Sequence, residues 1–340
     1  MNELLYNFLA WIQGIVGSWG VALIIFTVLI RAALTPLDMK SRMSMRRTQK
    51  LQPQLQALQK KYAKDRDKLN AKTAELYKKE KINPLSSCLP LLLTWPILII
   101  VFNAMRLAAN REMLNQVTQL LNGVEPTLEP FLWVKNLWMP DNLFSNILPD
   151  AATLRAIPVD QWQRWLSNLQ DSDLPELITS LGLTSQSTLD SDMIGKLVEG
   201  ITALPRYQEV TTTLQYTVPL FNWAIPVTMN EDKTAVTALC NNGWLILPIL
   251  SALSQVVMTK ITTKGQPQQA PVEGQPNTGK FMQWFFPIFS LWICLTATAS
   301  FALYWVAGNL VSMAQTVIIN RILDKREAMA AQVAGEGTVK

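Results

Sequence analysis

Apolar runs of bilayer length constrain this chain more than any other feature. A helix rising 1.5 Å per residue needs roughly 20 mostly apolar residues to cross the hydrocarbon, and such runs occupy 19–38, 85–106, 242–260 and 281–322. The last is long enough for two crossings, 281–299 and 301–322, with a tight turn near Thr296–Ser300. Composition agrees: 49% hydrophobic residues, twelve Trp and a mean hydropathy of +0.15 suit a lipid solvent. The expected fold class is an all-α polytopic membrane protein with five transmembrane helices.

Charge sets the expected orientation. Between Asp38 and Ile82 there are 14 Lys+Arg against 5 Asp+Glu, net +9, whereas Ala109–Cys240 has 7 against 15, net −8. Basic loops stay in the cytoplasm. The segment 39–84, the linker 261–280 and the tail 323–340 are then inside, the loop 107–241 and the N-terminus are extracellular, and the protein sits in the bacterial plasma membrane. The opening stretch 1–18 lacks a positive n-region and a small-residue cleavage site, so it reads as an amphipathic surface segment and not a cleavable signal peptide.

Within 39–84, Leu51, Leu55, Leu58 and Tyr62 recur at helical spacing, as do Leu69 and Leu76, and a polar run separates the two sets. This predicts a helical hairpin with Pro53 near a helix start. Its basic face is either a solvated surface or a contact for anionic lipids, the ribosome or targeting factors. In the outer loop, Phe131, Trp133, Trp138 and Phe144 suit the headgroup level, predicting a segment, 128–145, lying on the membrane. An acidic, Leu-containing helical insert follows at about 149–235.

Several chemistries are excluded. The chain has no His and three scattered cysteines, Cys88, Cys240 and Cys294, so neither a metal site nor a disulfide framework is expected. "GQPNTGKF", Gly274–Phe281, approximates a phosphate-binding loop, but a polar linker precedes it and a membrane span follows. No cofactor, no nucleic-acid motif and no enzyme activity are expected.

Arg31 is the only charge well inside a predicted span. At a helix centre an Arg costs roughly 2.5–3.5 kcal/mol on insertion scales. It either snorkels toward the inner headgroups, from about 10 Å beyond Asp38, or projects into a wet cavity. Thr27 shares its helix face, one turn away. The second span holds Pro90 and Pro96, which free backbone carbonyls at Ser86 and Leu92. The last span adds Tyr304, Asn309, Ser312, Gln315 and Thr316, with Gly308, Ser312 and Thr316 every four residues, a spacing that also serves helix packing.

Together "GSWGVALIIFTVLIRAALTPL", "NPLSSCLPLLLTWPI", "FLWVKNLWMPD" and "FALYWVAGNLVSMAQ" resemble the YidC/Oxa/Alb family of membrane protein insertases, over about 14–145 and 240–322. The resemblance implies five core helices around a hydrophilic groove, open to the cytoplasm and lipid and closed outside, with Arg31 in it. It implies substrate contacts at Thr27, Trp95, Pro96 and Trp305, with Cys88 close to the substrate path; Asn309 and Gln315 join these as groove candidates. Implied partners are nascent membrane proteins, the ribosome, and a Sec translocon or signal recognition components. The chain departs from the family in "TASFALYW", in Thr94 and Trp95, and in its outer insert. The absence of a large β-rich periplasmic domain implies the Gram-positive type.

Overall fold

The computed structural model describes residues 2–63, 65–80, 89–211, 214–218, 223–229, 236–263 and 278–336, with the backbone alone in part of these, including 89–95, 214–218, 223–229 and 236–239. The chain forms two compact units: Met1–Ile25, Val101–Ser251 and Phe289–Val306 in the first, Phe26–Ile100, Ala252–Ile288 and Ala307–Lys340 in the second.

Five long helices carry the apolar runs: α2 (Trp19–Lys50), α5 (Leu89–Leu121), α11 (Ile246–Thr263), α12 (Thr278–Thr296) and α13 (Ala299–Glu336). Of these, α2 and α13 are long and apolar enough to cross a membrane, and α11 and α12 hold shorter apolar stretches, Ile246–Thr262 and Gln283–Thr296. Large apolar side chains stay exposed along them: Val28 and Leu29 on α2, Leu253 and Val257 on α11, Trp284 and Ile288 on α12, Leu310 and Ile318 on α13. Apolar exposure on this scale needs a covering of lipid or protein.

In the second unit, α2 outruns its span. It continues past Pro36 to Lys50, because Pro36 removes one N–H while 37–50 holds no further Pro or Gly. Contacts with α13 also hold it: Arg42 Nη2 donates to Thr316 Oγ1 at 2.6 Å, Arg46 reaches the Asn320 carbonyl, and Arg46 and Lys50 pair with Asp324 and Glu327. Two helices, α3 (Gln52–Lys61) and α4 (Arg66–Lys79), follow. Pro53 lies in the first turn of α3, and the Asp65 carboxylate caps α4 by accepting from Lys68 N at 3.0 Å. Helix α5 begins at Leu89, so Pro90 sits in its first turn, where no intrahelical bond is lost, and only Pro96 interrupts its interior. The Ser86 carbonyl, expected to be freed by Pro90, lies outside the described residues.

In the first unit, α1 (Asn2–Val16) buries Leu9 and Ile12. The segment 128–145, predicted from its aromatics to lie on the membrane, leaves Leu132 and Phe144 exposed and turns other side chains inward. Trp138 is 1% exposed and packs edge-on to Trp19 with centroids 5.1 Å apart, while Val134, Leu137 and Met139 are also buried. Phe131 takes the space over Gly20 that a Cβ would fill. The loop plugs helix ends: Leu137 and Met139 carbonyls accept from Ser300 N and Ala299 N, the first N–H groups of α13. Asn242 fastens it from the other side, its Oδ1 accepting from Asn136 N and its Nδ2 donating to the carbonyls of Asn136, Met139 and Pro140. Buried Asp141 accepts from Trp133 Nε1 and from the backbone N–H of Trp244 and Leu247, capping α11.

The insert forms five short helices, α6 (Ala151–Arg155), α7 (Val159–Ser167), α8 (Glu176–Ser180), α9 (Ser191–Ala203) and α10 (Pro205–Thr211), around Leu154, Trp162, Leu166, Ile178, Leu197 and Ile201. It is tied to α5 by Trp165 Nε1 donating to Thr118 Oγ1 at 2.8 Å, and to α1 by an Arg164–Glu3 ion pair. One correction to the all-α class falls here. Strands β1 (Leu214–Val218), β2 (Trp223–Met229) and β3 (Val236–Leu239) form an antiparallel sheet in that order, with Tyr216 opposite Ile225 and Val227 opposite Leu239. Their Val, Thr, Ile, Tyr and Trp content favours strand over helix.

Candidate functional site

Arg31 lies 12 residues, about 18 Å, into α2 at 1.5 Å per residue. Its guanidinium is accommodated by a missing side chain on α13: a Cβ on Gly308 would stand 3.3 Å from Nη2, 3.7 Å from Nε and 3.8 Å from Thr27 Cγ2. Gly308 is therefore the floor on which Thr27 and Arg31 rest. Thr27 is fully buried and Arg31 half-buried. Among the described residues no carboxylate forms an ion pair with Arg31 and no side chain or carbonyl accepts a hydrogen bond from it.

Polar groups gather on both sides of this contact. Gln315 Nε2 donates to the Arg31 carbonyl at 2.9 Å and to Thr35 Oγ1 at 2.7 Å, while Thr35 Oγ1 itself donates to the Arg31 carbonyl at 3.1 Å. Thr316 Oγ1 donates to the Ser312 carbonyl and accepts from Arg42. Asn309 Nδ2 donates to Ser254 Oγ on α11 at 2.9 Å. Ser312 Oγ and Gln315 Oε1 are buried without a protein partner. At membrane depth such atoms persist where water or another polar group reaches them. The cluster thus combines a cation with no ion pair among the described residues, the more distant Asp38 carboxylate, unsatisfied polar atoms and an apolar helical surround, conditions under which a charge keeps much of its reach.

The remaining candidates are placed as follows. Trp305 belongs to the first unit and packs against Phe301 and Phe289, centroids 5.6 and 6.4 Å away, its buried indole N–H unpaired. Pro96 is exposed on α5. Cys88 and the Trp95 side chain lie outside the described residues, as do Gly274–Asn277 of the phosphate-loop lookalike. The structure also shows what the sequence reading passed over. Arg42, Arg46, Thr35 and Asn320 line the α2–α13 contact, and Arg42 and Arg46 recur at the four-residue helical spacing that would have signalled a shared face. The Asp141–Asn242 knot joins residues about a hundred positions apart, so no local signal announces it.

Two apolar helices long enough to cross a membrane, α2 and α13, thus meet at an arginine-bearing polar contact, the class of arrangement a polytopic membrane protein can hold. Residues 11–181 and 201–326 match the family described as 60Kd inner membrane protein, and the chain belongs to that family. Among curated relatives, the membrane protein insertase YidC of Anaeromyxobacter dehalogenans (strain 2CP-C) is 41% identical over 141 residues, 42% of this chain and 23% of that protein. The membrane protein insertase YidC of Fusobacterium nucleatum is 39% identical over 151 residues, 43% of this chain and 65% of that protein. The matched part spans less than two thirds of either relative.

Proposed function

We propose that this chain inserts short or single-span proteins into the cytoplasmic membrane without nucleotide hydrolysis. The observation that carries the reading is Arg31: a guanidinium without an ion-pair partner among the described residues, laid on Gly308 and flanked by the unpaired Ser312 Oγ and Gln315 Oε1. Family membership and the likeness to membrane protein insertases support it. The polar cluster lowers the cost of bringing the hydrophilic N-terminal part of a nascent segment into the membrane, and Arg31 attracts acidic residues there. The apolar span then leaves into lipid, driven by burial at roughly 25 cal/mol per Å². Gln315 and Asn309 act as positioning residues, since their amide N–H groups bridge helices.

The basic face of α3 and α4 receives the ribosome-borne segment or anionic headgroups, with a Sec translocon or signal recognition components as further partners. Hairpin and C-terminus face the cytoplasm, the insert faces outside, and the Gram-positive-type assignment is part of the same proposal. A second reading, an assembly chaperone or scaffold that holds partner helices without inserting them, draws on those same interhelix amide bonds. A small-solute transporter is the third reading; the sequence shows no internal repeat to support it. A photo-crosslinking residue at Thr27 or Trp305 separates the first two: adducts with a ribosome-bound nascent membrane segment are expected, and adducts confined to finished subunits would favour the chaperone.

A further inference from the structure

The first unit holds two cavities that share a wall. One, about 700 Å³, lies among α1, α5 and α7 and is polar, lined by Glu3, Arg106, Asn110, Asp160, Gln161 and Arg164. The other, about 460 Å³, lies among α5, α6, the end of α12 and the start of α13, with walls that include Phe102, Met105, Trp292, Ile293 and Phe301. Arg106 and Asn110 line both. Each volume falls within the ordinary range for small-molecule sites.

The polar cavity has unmet demands. Asn110 is 4% exposed, yet its Nδ2 has no protein partner, and neither has the buried Gln161 Oε1. Glu3 takes ion pairs from both Arg111 and Arg164, at 2.8 and 2.6 Å, leaving Arg106 with no ion pair among the described residues. An exposed cation and a buried amide N–H suit a phosphate, the acceptor Gln161 Oε1 and the Asp160 carboxylate suit hydroxyl donors, and the neighbouring apolar walls suit hydrocarbon. A quaternary ammonium fits poorly, since no aromatic ring lines the polar cavity.

We propose that the paired cavities bind one phospholipid with a phosphate-linked polyol headgroup. Its phosphate meets Arg106 and Asn110 Nδ2, its hydroxyls meet Gln161 Oε1 and Asp160, and an acyl chain enters the apolar cavity. In the topology proposed above the insert faces outside, so the lipid comes from the outer leaflet. Two helices of the insert, α6 and α7, complete the walls, which gives the insert a lipid-holding role independent of the insertion reading.

The full chain, purified and delipidated in neutral detergent, tests this. Dioleoyl-phosphatidylglycerol should raise Tm by about 3 °C or more, dioleoyl-phosphatidylcholine far less, and glycerol 3-phosphate not at all. The phosphatidylglycerol shift should fall by at least half in Arg106→Gln and in Ala297→Trp, which fills the apolar cavity, and should largely return in Arg106→Lys. Native mass spectrometry should show one retained phosphatidylglycerol on the parent chain and none on Arg106→Gln. Should Arg106→Gln misfold, Gln161→Leu takes its place in both measurements. An equal shift with phosphatidylcholine, or a phosphatidylglycerol shift undiminished in the polar-cavity variant and in Ala297→Trp, would overturn the proposal. A full shift from glycerol 3-phosphate would make the site one for free phosphate esters and sink the lipid claim.

Discussion

Gly308 and Arg31 form the pair on which the site turns. With 3.3 Å between a Cβ at 308 and Arg31 Nη2, Gly308→Ala needs only a small shift of a flexible side-chain end and should change stability by less than about 1 kcal/mol. Gly308→Leu would displace the guanidinium altogether, costing about 1–3 kcal/mol through overpacking. Thermal unfolding in detergent reads both. Insertion of a client with an acidic tail should weaken only a few-fold in Gly308→Ala and collapse in Gly308→Leu, while Arg31→Lys keeps most activity because the charge persists. The shared face of Thr27 and Arg31 was legible from their four-residue spacing, since helical periodicity is a local property. The stripe Gly308, Ser312 and Thr316 was legible too, but its partner was not: nothing in the spacing says which helix lies opposite. The aromatic Trp138 shows the limit in another way. A Trp in a loop between apolar runs looks the same whether it floats at the headgroups or, as here, closes a core against Trp19.

Among the elements, the α2–α13 contact and the plug formed by the loop around Leu137–Asp141 hold different units, and each has a weak point. Gln315→Leu loses two bonds from α13 to α2 and should cost about 1–2 kcal/mol. Asn242→Leu removes all four bonds of a fully buried side chain and leaves three carbonyls under-satisfied; a loss of about 2–4 kcal/mol is expected in a denaturation midpoint. Deleting Leu51–Lys79 should reduce capture of nascent clients and leave the five apolar helices assembled, as read by crosslinking and membrane fractionation; loss of the protein from the membrane would make that hairpin a folding element. The five apolar helices were legible because lipid selects for unbroken apolar length. Helix ends were not, since α2 runs on to Lys50 through contacts with Thr316, Asn320 and Asp324, almost three hundred residues away. Strands β1–β3 were hidden by their setting: an acidic, Leu-bearing insert suggested helix throughout, although the segments at 214–239 carry strand-forming residues.

For the molecule as a whole, charge gives both a pH response and a mechanism. Burial raises the carboxyl of Glu112 above its ordinary value, and burial together with the Glu112 charge raises that of Glu129. A carboxyl raised on folding stabilises the protein while protonated, and that contribution is lost as pH rises through the folded value. The first unit should therefore unfold more readily at neutral pH than just above the ordinary carboxyl range, and Glu129→Gln should raise Tm at neutral pH and flatten the profile. In the other unit, Arg31 is proposed to act on a client through its charge. Proteoliposomes holding the full chain or Arg31→Ala, given a single-span client with either an acidic or a neutral N-terminal tail, test it directly. Arg31→Ala should lower insertion of the acidic-tailed client by about tenfold, equivalent to about 1.4 kcal/mol, and barely alter that of the neutral one. Equal insertion of the acidic-tailed client by both proteins would contradict it.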